Sequence, residues 1–347
     1  MSSAVAAIKN KNRNYTLDLL KFCLSLMVVA IHSNLFSRTL YPWLRLAVPI
    51  FFIISSYLFF GKIKNIENQK EKSKCLARYV KRNLILYLFW FVVLFPYTLM
   101  IRKYFSAGIM KGLYLMMRGF LLSDTFPASW YIQASIVAVS VVFFLSKKMN
   151  DSMLFAISAT FYILTCFRSS YWDTFSQIPV ISSVLSTYTK IFMVPMHNFP
   201  AAFFWIVIGK IFAEHKIDYG KVINGICLVI SAVMLYCEWL FVKNINGTYK
   251  NECYIMLMPV VFFIFSLVYD IKIKGSDIYV KMGTISIIIY TSHSIVRSIV
   301  KLFFERILGI ESIPLVFITV VIICIVEGFI ILSLENHKFF RWLKFSH

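Results

Sequence analysis

Three ionisable side chains interrupt the first long apolar stretch of this chain: Asp18, Lys21 and His32. An ionisable group in hydrocarbon costs roughly 2.5 to 3.5 kcal/mol even on the lenient insertion scale, so each is a functional candidate. Lys21 follows Asp18 by three residues and His32 follows Lys21 by eleven. At about 100° per residue, eleven steps come back to within about 20° of the start. All three therefore share one helical face, with Ser25 on the same stripe, and a rise of about 1.5 Å per residue sets Lys21 and His32 roughly 16 Å apart along the axis. Four polar groups on one face of an apolar helix predict a wet interior cavity rather than lipid contact. An imidazole, with its ordinary pKa near about 6.5, accepts a proton at neutral pH, which is what a general base acting on a hydroxyl must do. The plainer alternative is an interfacial ion pair between Asp18 and Lys21, with His32 a polar helix end.

Other polar residues could complete such a cavity. His293 and Arg297 lie four apart and so share a face, while Glu327 sits deep in the last apolar stretch. A structural pair between Arg297 and Glu327 is the simplest expectation, because membrane charges tend to find partners; the alternative makes these residues a second wall of the cavity. The loop from Gly61 to Asn83 carries eight positive charges against Glu67 and Glu71, most of which topology and lipid headgroups explain. Within it Arg78, Lys81 and Arg82 stand where the next helix enters the membrane, placed to engage phosphates by charge-assisted hydrogen bonds. His197, His215, His337 and His347 share no spacing, and the seven cysteines are scattered without a C-x-x-C pair. Neither a metal site nor a disulfide framework is expected.

These residues have to be held by membrane-spanning helices. Of the 347 residues 59% are hydrophobic and only 15% charged, against roughly 45 to 50% and 25% in soluble globular proteins. Apolar runs bounded by charges predict ten helices, over residues 17–36, 43–60, 83–101, 129–145, 153–167, 199–213, 222–242, 254–270, 284–303 and 314–334. The stretch 178–196 is left as a re-entrant or additional segment. The first run has the length of a full span and no small-residue cleavage site after it, so it reads as an uncleaved span rather than a signal peptide. With ten spans and the N-terminus inside, 22 of the 36 Lys and Arg residues fall on the cytoplasmic side and 12 outside. That asymmetry puts both termini in the cytoplasm and accounts for the net charge of +20 without a nucleic-acid partner. The fold class is thus all-α: one polytopic helical bundle over residues 1–347, with a cytoplasmic segment 1–16 and a basic tail 335–347.

Several segments carry a family resemblance. Arg13 to Ser33, "RNYTLDLLKFCLSLMVVAIHS", resembles the opening helix of the membrane-bound acyltransferase 3 family, with its acidic residue, a basic residue three later and a histidine eleven beyond. Val48 to Phe60, "VPIFFIISSYLFF", is similar to the second helix, and Arg78 to Trp90, "RYVKRNLILYLFW", to the basic entry of the third. Weaker echoes are "SWYI" at 129–132, "FFWIVIGK" at 203–210 and "TISIIIYTSHSIV" at 284–296. Two positions depart from the pattern: Lys21 stands where the family usually has arginine, and Ser56 follows Ser55 where glycine is common. Lysine keeps the charge but lacks the planar fork.

The resemblance implies a plasma-membrane O-acyltransferase. It would move an acyl group, most simply acetyl, from cytoplasmic acetyl-coenzyme A or another acyl-coenzyme A to a hydroxyl of an envelope sugar or polysaccharide. On this reading His32 is the general base, Asp18 and Lys21 its supporting charged pair, and Arg78, Lys81 and Arg82 hold the donor. Ser25, His293, Arg297 and Glu327 are candidate cavity residues, and the acyl-coenzyme A is a co-substrate rather than a resident cofactor. Related membrane domains are also fused to amino-acid racemases. A transporter or export subunit, with the same charges lining a permeation path, is the competing class.

Overall fold

The computed structural model describes residues 13–35, 40–246 and 251–347, and every regular element among them is helical. The α-helices are α1 (Tyr15–Ser33), α2 (Tyr41–Leu44), α3 (Ala47–Ile63), α4 (Gln69–Arg102), α5 (Ile109–Leu122), α6 (Trp130–Leu145) and α7 (Asp151–Ser169). They continue as α8 (Trp172–Phe175), α9 (Pro179–Phe192), α10 (Phe199–Glu214), α11 (Lys221–Asn246), α12 (Leu257–Val268), α13 (Asp277–Leu302) and α14 (Ile313–Leu334). Each of the ten expected segments falls on a helix. Among the described residues seven helical segments are long and apolar enough to cross a membrane, and an eighth is added if α9 and α10, bent by 61° at their junction, form one broken span. The apolar helices α6 and α12 are shorter.

The local signals that set the boundaries are readable. Asn14 caps α1 by accepting a hydrogen bond from the Leu17 amide at 3.2 Å. Asn34 ends it at φ 56°, returning its own amide to the carbonyls of Ala30 and Ile31, a left-handed close that asparagine tolerates. The helix therefore stops three residues short of the expected 36. In contrast α4 begins at Gln69, well before the expected 83, with Asn68 as its cap. Apolarity marks only the part of a helix that sits in hydrocarbon, whereas the Lys- and Arg-rich turns before it are good helix formers in water.

At the centre α10 is buried over nearly its whole length against α3. A Cβ on Gly209 would stand 2.5 Å from the Ile53 carbonyl oxygen, so glycine is what allows the backbones to meet. Ser56 uses its hydroxyl at this contact, donating to the Ile206 carbonyl at 2.5 Å. The second close pair is α1 with α13, where a Cβ on Gly283 would lie 2.5 Å from Asp18 Oδ1. Outward faces are apolar: Val222, Val229 and Val233 on α11, and Ile318, Ile322 and Ile330 on α14, are exposed, as lipid contact requires.

The C-terminal tail is folded onto the bundle. Residues Lys338–Ser346 form a 3₁₀ helix whose Leu343 is buried, and Trp90 Nε1 donates to the Ser346 carbonyl at 2.9 Å.

A candidate active site made of two cavities

The acidic residue of the α1 stripe is doubly paired. Asp18, buried, meets Lys21 Nζ at 2.6 Å and Arg13 Nε at 2.5 Å. Lys21 also faces a cavity of about 130 Å³ with Ser55, Arg82, Tyr131, Tyr290 and His347. Of the three basic residues expected at the entry to α4, only Arg82 lines this space. Arg78 is exposed and donates to the Lys74 carbonyl at 3.3 Å, and Lys81 is exposed on the helix surface. His347 reaches the cavity because the tail docks; it pairs with Glu335 at 3.3 Å.

His32 opens into a second, larger cavity of about 450 Å³ at the opposite end of α1. Its ring lies 4.9 Å from that of His293, centroid to centroid. His293 is buried, and its Nδ1 faces the carbonyls of Tyr290 at 2.8 Å and Ile289 at 3.1 Å. Carbonyl oxygens only accept, so the proton of a neutral imidazole belongs on Nδ1, which leaves Nε2 as the basic nitrogen, 3.3 Å from Ser294 Oγ. Arg297 lines the same cavity one turn further along α13. Tyr290 borders both cavities, and its ring packs edge-on against Tyr131 at 5.3 Å and Phe51 at 6.0 Å. This aromatic cluster is the partition between the two spaces.

Two expectations need correction. Ser25 lies on the stripe but is fully buried and donates to the Phe22 carbonyl at 2.7 Å, a local bond that takes it out of the cavity. Arg297 and Glu327 do not pair. The Glu327 side chain lies at Ser292, and the five residues from Ser292 to Arg297 correspond to about 7.5 Å along α13. Glu327 instead sits beside Ser292 and Cys324, its Oε2 without a hydrogen-bond partner among the described residues. The antiparallel register of α13 and α14 thus assigns Arg297 to the cavity wall and Glu327 to a separate position.

The larger cavity also contains residues that spacing did not single out. His197, in the turn before α10, pairs with Glu252 at 3.0 Å and stacks on Trp130 with ring centroids 5.2 Å apart. Arg102 pairs with Asp124, and Arg45, between α2 and α3, donates to the Tyr41 hydroxyl. These side chains lie in short connections far apart in sequence, so no periodicity joins them. The usable signal is topological, because in an alternating helix count all of them fall at the end of the bundle where His32 lies.

Asp151, Glu214 and His215 come close enough to one another to hold a metal ion. A cation is already there: Lys210 Nζ, buried, lies 2.6 Å from Asp151 Oδ1 and 2.5 Å from Glu214 Oε2. This cluster ties α7 to α10.

A polytopic-type helical bundle with a basic residue and a histidine at opposite ends of one polar stripe describes a class of membrane protein. Comparison with protein families matches residues 14–330 to an acyltransferase domain, that of the acyltransferase 3 family. The chain belongs to that family, whose domain spans nearly its whole length. Curated relatives are more distant. An amino-acid racemase from Enterococcus faecalis is 23% identical over 343 residues, covering 94% of this chain and 47% of that protein. A serine/alanine racemase from Enterococcus gallinarum is 21% identical over 344 residues, covering 95% and 47%. The chain spans about half the length of these relatives. No solved structure matches it.

Proposed function

We propose that the protein is an O-acyltransferase of the plasma membrane, moving an acyl group, acetyl in the simplest case, from a cytoplasmic acyl-coenzyme A to a hydroxyl of an envelope sugar or polysaccharide. The observation that carries this reading is the pair of cavities meeting at Tyr290, one lined by Lys21 and Arg82, the other by His32, with the buried His293 ring packed behind it. The basic cavity suits the phosphates of coenzyme A, with its pantetheine arm directed towards the aromatic partition. At the other end His32 takes the proton of the acceptor hydroxyl as the oxygen attacks the thioester carbonyl. The carbon–sulfur bond breaks, the imidazolium returns the proton to the departing thiolate, and an ester and free coenzyme A result. His293, fixed by its backbone contacts, keeps His32 in place. Positive charge concentrated at the Lys21 end argues for the cytoplasm on that side.

Transport has one observation in its favour, the 61° break between α9 and α10, since discontinuous helices are common in transporters. Proteoliposomes separate the two readings. Labelled acyl-coenzyme A supplied on the Lys21 side should yield ester on an acceptor and stoichiometric thiol. Flux of free acceptor without ester formation would overturn the acyl-transfer reading.

A further inference from the structure

The walls of the His32 cavity contain five charged side chains, Arg45, Arg102, Arg297, Asp124 and Glu252. Both carboxylates are already committed, Asp124 to Arg102 and Glu252 to His197. That leaves two guanidinium groups. Arg45 is half-buried, donates from Nη2 to the Tyr41 hydroxyl and has a buried Nε with no hydrogen-bond partner among the described residues. Arg297 makes no ion pair among the described residues, and none of the residues outside the description is acidic. A guanidinium cannot lose its proton, so both half-buried groups keep their full charge at the cavity wall. The two groups face the same space as His32, the group expected to handle the reacting hydroxyl.

We propose that this cavity recognises an anionic acceptor, one whose hydroxyl is presented to His32 while a carboxylate or phosphate on the same molecule is held between Arg45 and Arg297. The inference rests on the acyl-transfer reading for the role of His32, but the anion site itself follows from the charge arrangement alone. Guanidinium is suited to this recognition by its fork of parallel donors, and charge-assisted hydrogen bonds to donors left free at the cavity wall favour binding. Trp130, stacked with His197 and lining the same cavity, offers an aromatic surface to the apolar side of a sugar.

The test is binding to the intact purified protein in nanodiscs with no acyl-coenzyme A present, so that it reports on the anion site whether or not transfer occurs. Equilibrium dialysis would compare labelled glucose, glucuronate and glucose 6-phosphate. At least one anionic sugar should bind more tightly than glucose by about tenfold or more, the order of a charge-assisted hydrogen bond, and the better of the two identifies carboxylate or phosphate. Arg45→Gln and Arg297→Gln should each remove most of that preference, and Arg297→Lys should keep part of it. Should Arg45→Gln fail to accumulate, the wild-type comparison and Arg297→Gln decide the matter. Equal binding of glucose and both anionic sugars, binding of none, or an anionic preference undiminished in the Gln variants overturns the proposal.

Discussion

His32 is open to the larger cavity and paired with no carboxylate among the described residues, whereas Lys21 is tied to Asp18 at 2.6 Å, and substitutions at the two should behave differently. His32→Ala is expected to reduce acyl transfer by about 10² to 10⁴, the usual contribution of a positioned base, with membrane abundance and donor binding unchanged. Near-normal transfer by well-expressed His32→Ala protein would make the stripe structural. Lys21→Arg should preserve activity. Lys21→Ala does not strand Asp18, because Arg13 also holds that carboxylate at 2.5 Å. The loss should therefore be in donor affinity more than in folding, read as a raised apparent KM in protein of normal yield. The acid limb of the pH profile assigns the base further. Burial opposes ionisation of Glu252, which lies in a loop outside the spans, yet the hydrogen bond and charge of His197, with Arg45 and His32 beyond, hold its carboxyl down to about 2. A depressed carboxylate contributes stability above its unfolded pKa of about 4.3 and loses it only as pH falls through the folded value. Glu252 therefore stays charged between about pH 5 and 8, and activity lost on acidification across that window is expected to vanish from the profile's control in variants of the imidazoles, not in Glu252→Gln.

Helix contacts decide which of these residues meet. Asp18, Lys21 and His32 were legible because one period of one helix relates them; Arg45, His197 and Glu252 were not, because only the packing of α3, α10 and the loop before α12 brings them to a common space. The same distinction explains the failed pairing of Arg297 with Glu327. Each residue was correctly recognised as unusual in an apolar run, but the offset between α13 and α14 is a tertiary quantity. Glycine positions give this level its test. On Gly283 an added methyl would meet Asp18 Oδ1 at 2.5 Å, while on Gly225, in α11, it would meet nothing within 4 Å. Gly283→Ala should destabilise by about 1 to 3 kcal/mol, the cost of overpacking, and perturb the Lys21 cavity. Gly225→Ala should be neutral or stabilising by up to about 1 kcal/mol through helix propensity. Thermal unfolding of the two variants in one detergent checks the difference, and equal midpoints would mean that α1 and α13 are packed less closely than described.

At the scale of the whole molecule, composition was enough to require a bilayer, and the ten apolar runs each correspond to a helix, but length and hydropathy qualify only seven or eight of them as spans. The difference lies in α6 and α12, short helices inside the bundle, and in the bend between α9 and α10. Helices α6 and α12 are apolar and fall short only in length, at 16 and 12 residues. Sidedness therefore depends on treating those shorter helices as crossings, and the charge asymmetry of 22 to 12 supports that treatment. Reporter tags joined at residue 1 and residue 347 should both read cytoplasm, and one inserted near Asn246 should read exterior. The chemical consequence is specific. On the acyl-transfer reading proposed above, this orientation would turn Lys21 and Arg82 to the side of the acyl-coenzyme A and His32 to the envelope, with the acyl group passing Tyr290, which borders both cavities. If a tag at residue 1 reproducibly reports the exterior, the larger cavity opens to the cytoplasm instead, and an envelope acceptor could no longer meet His32.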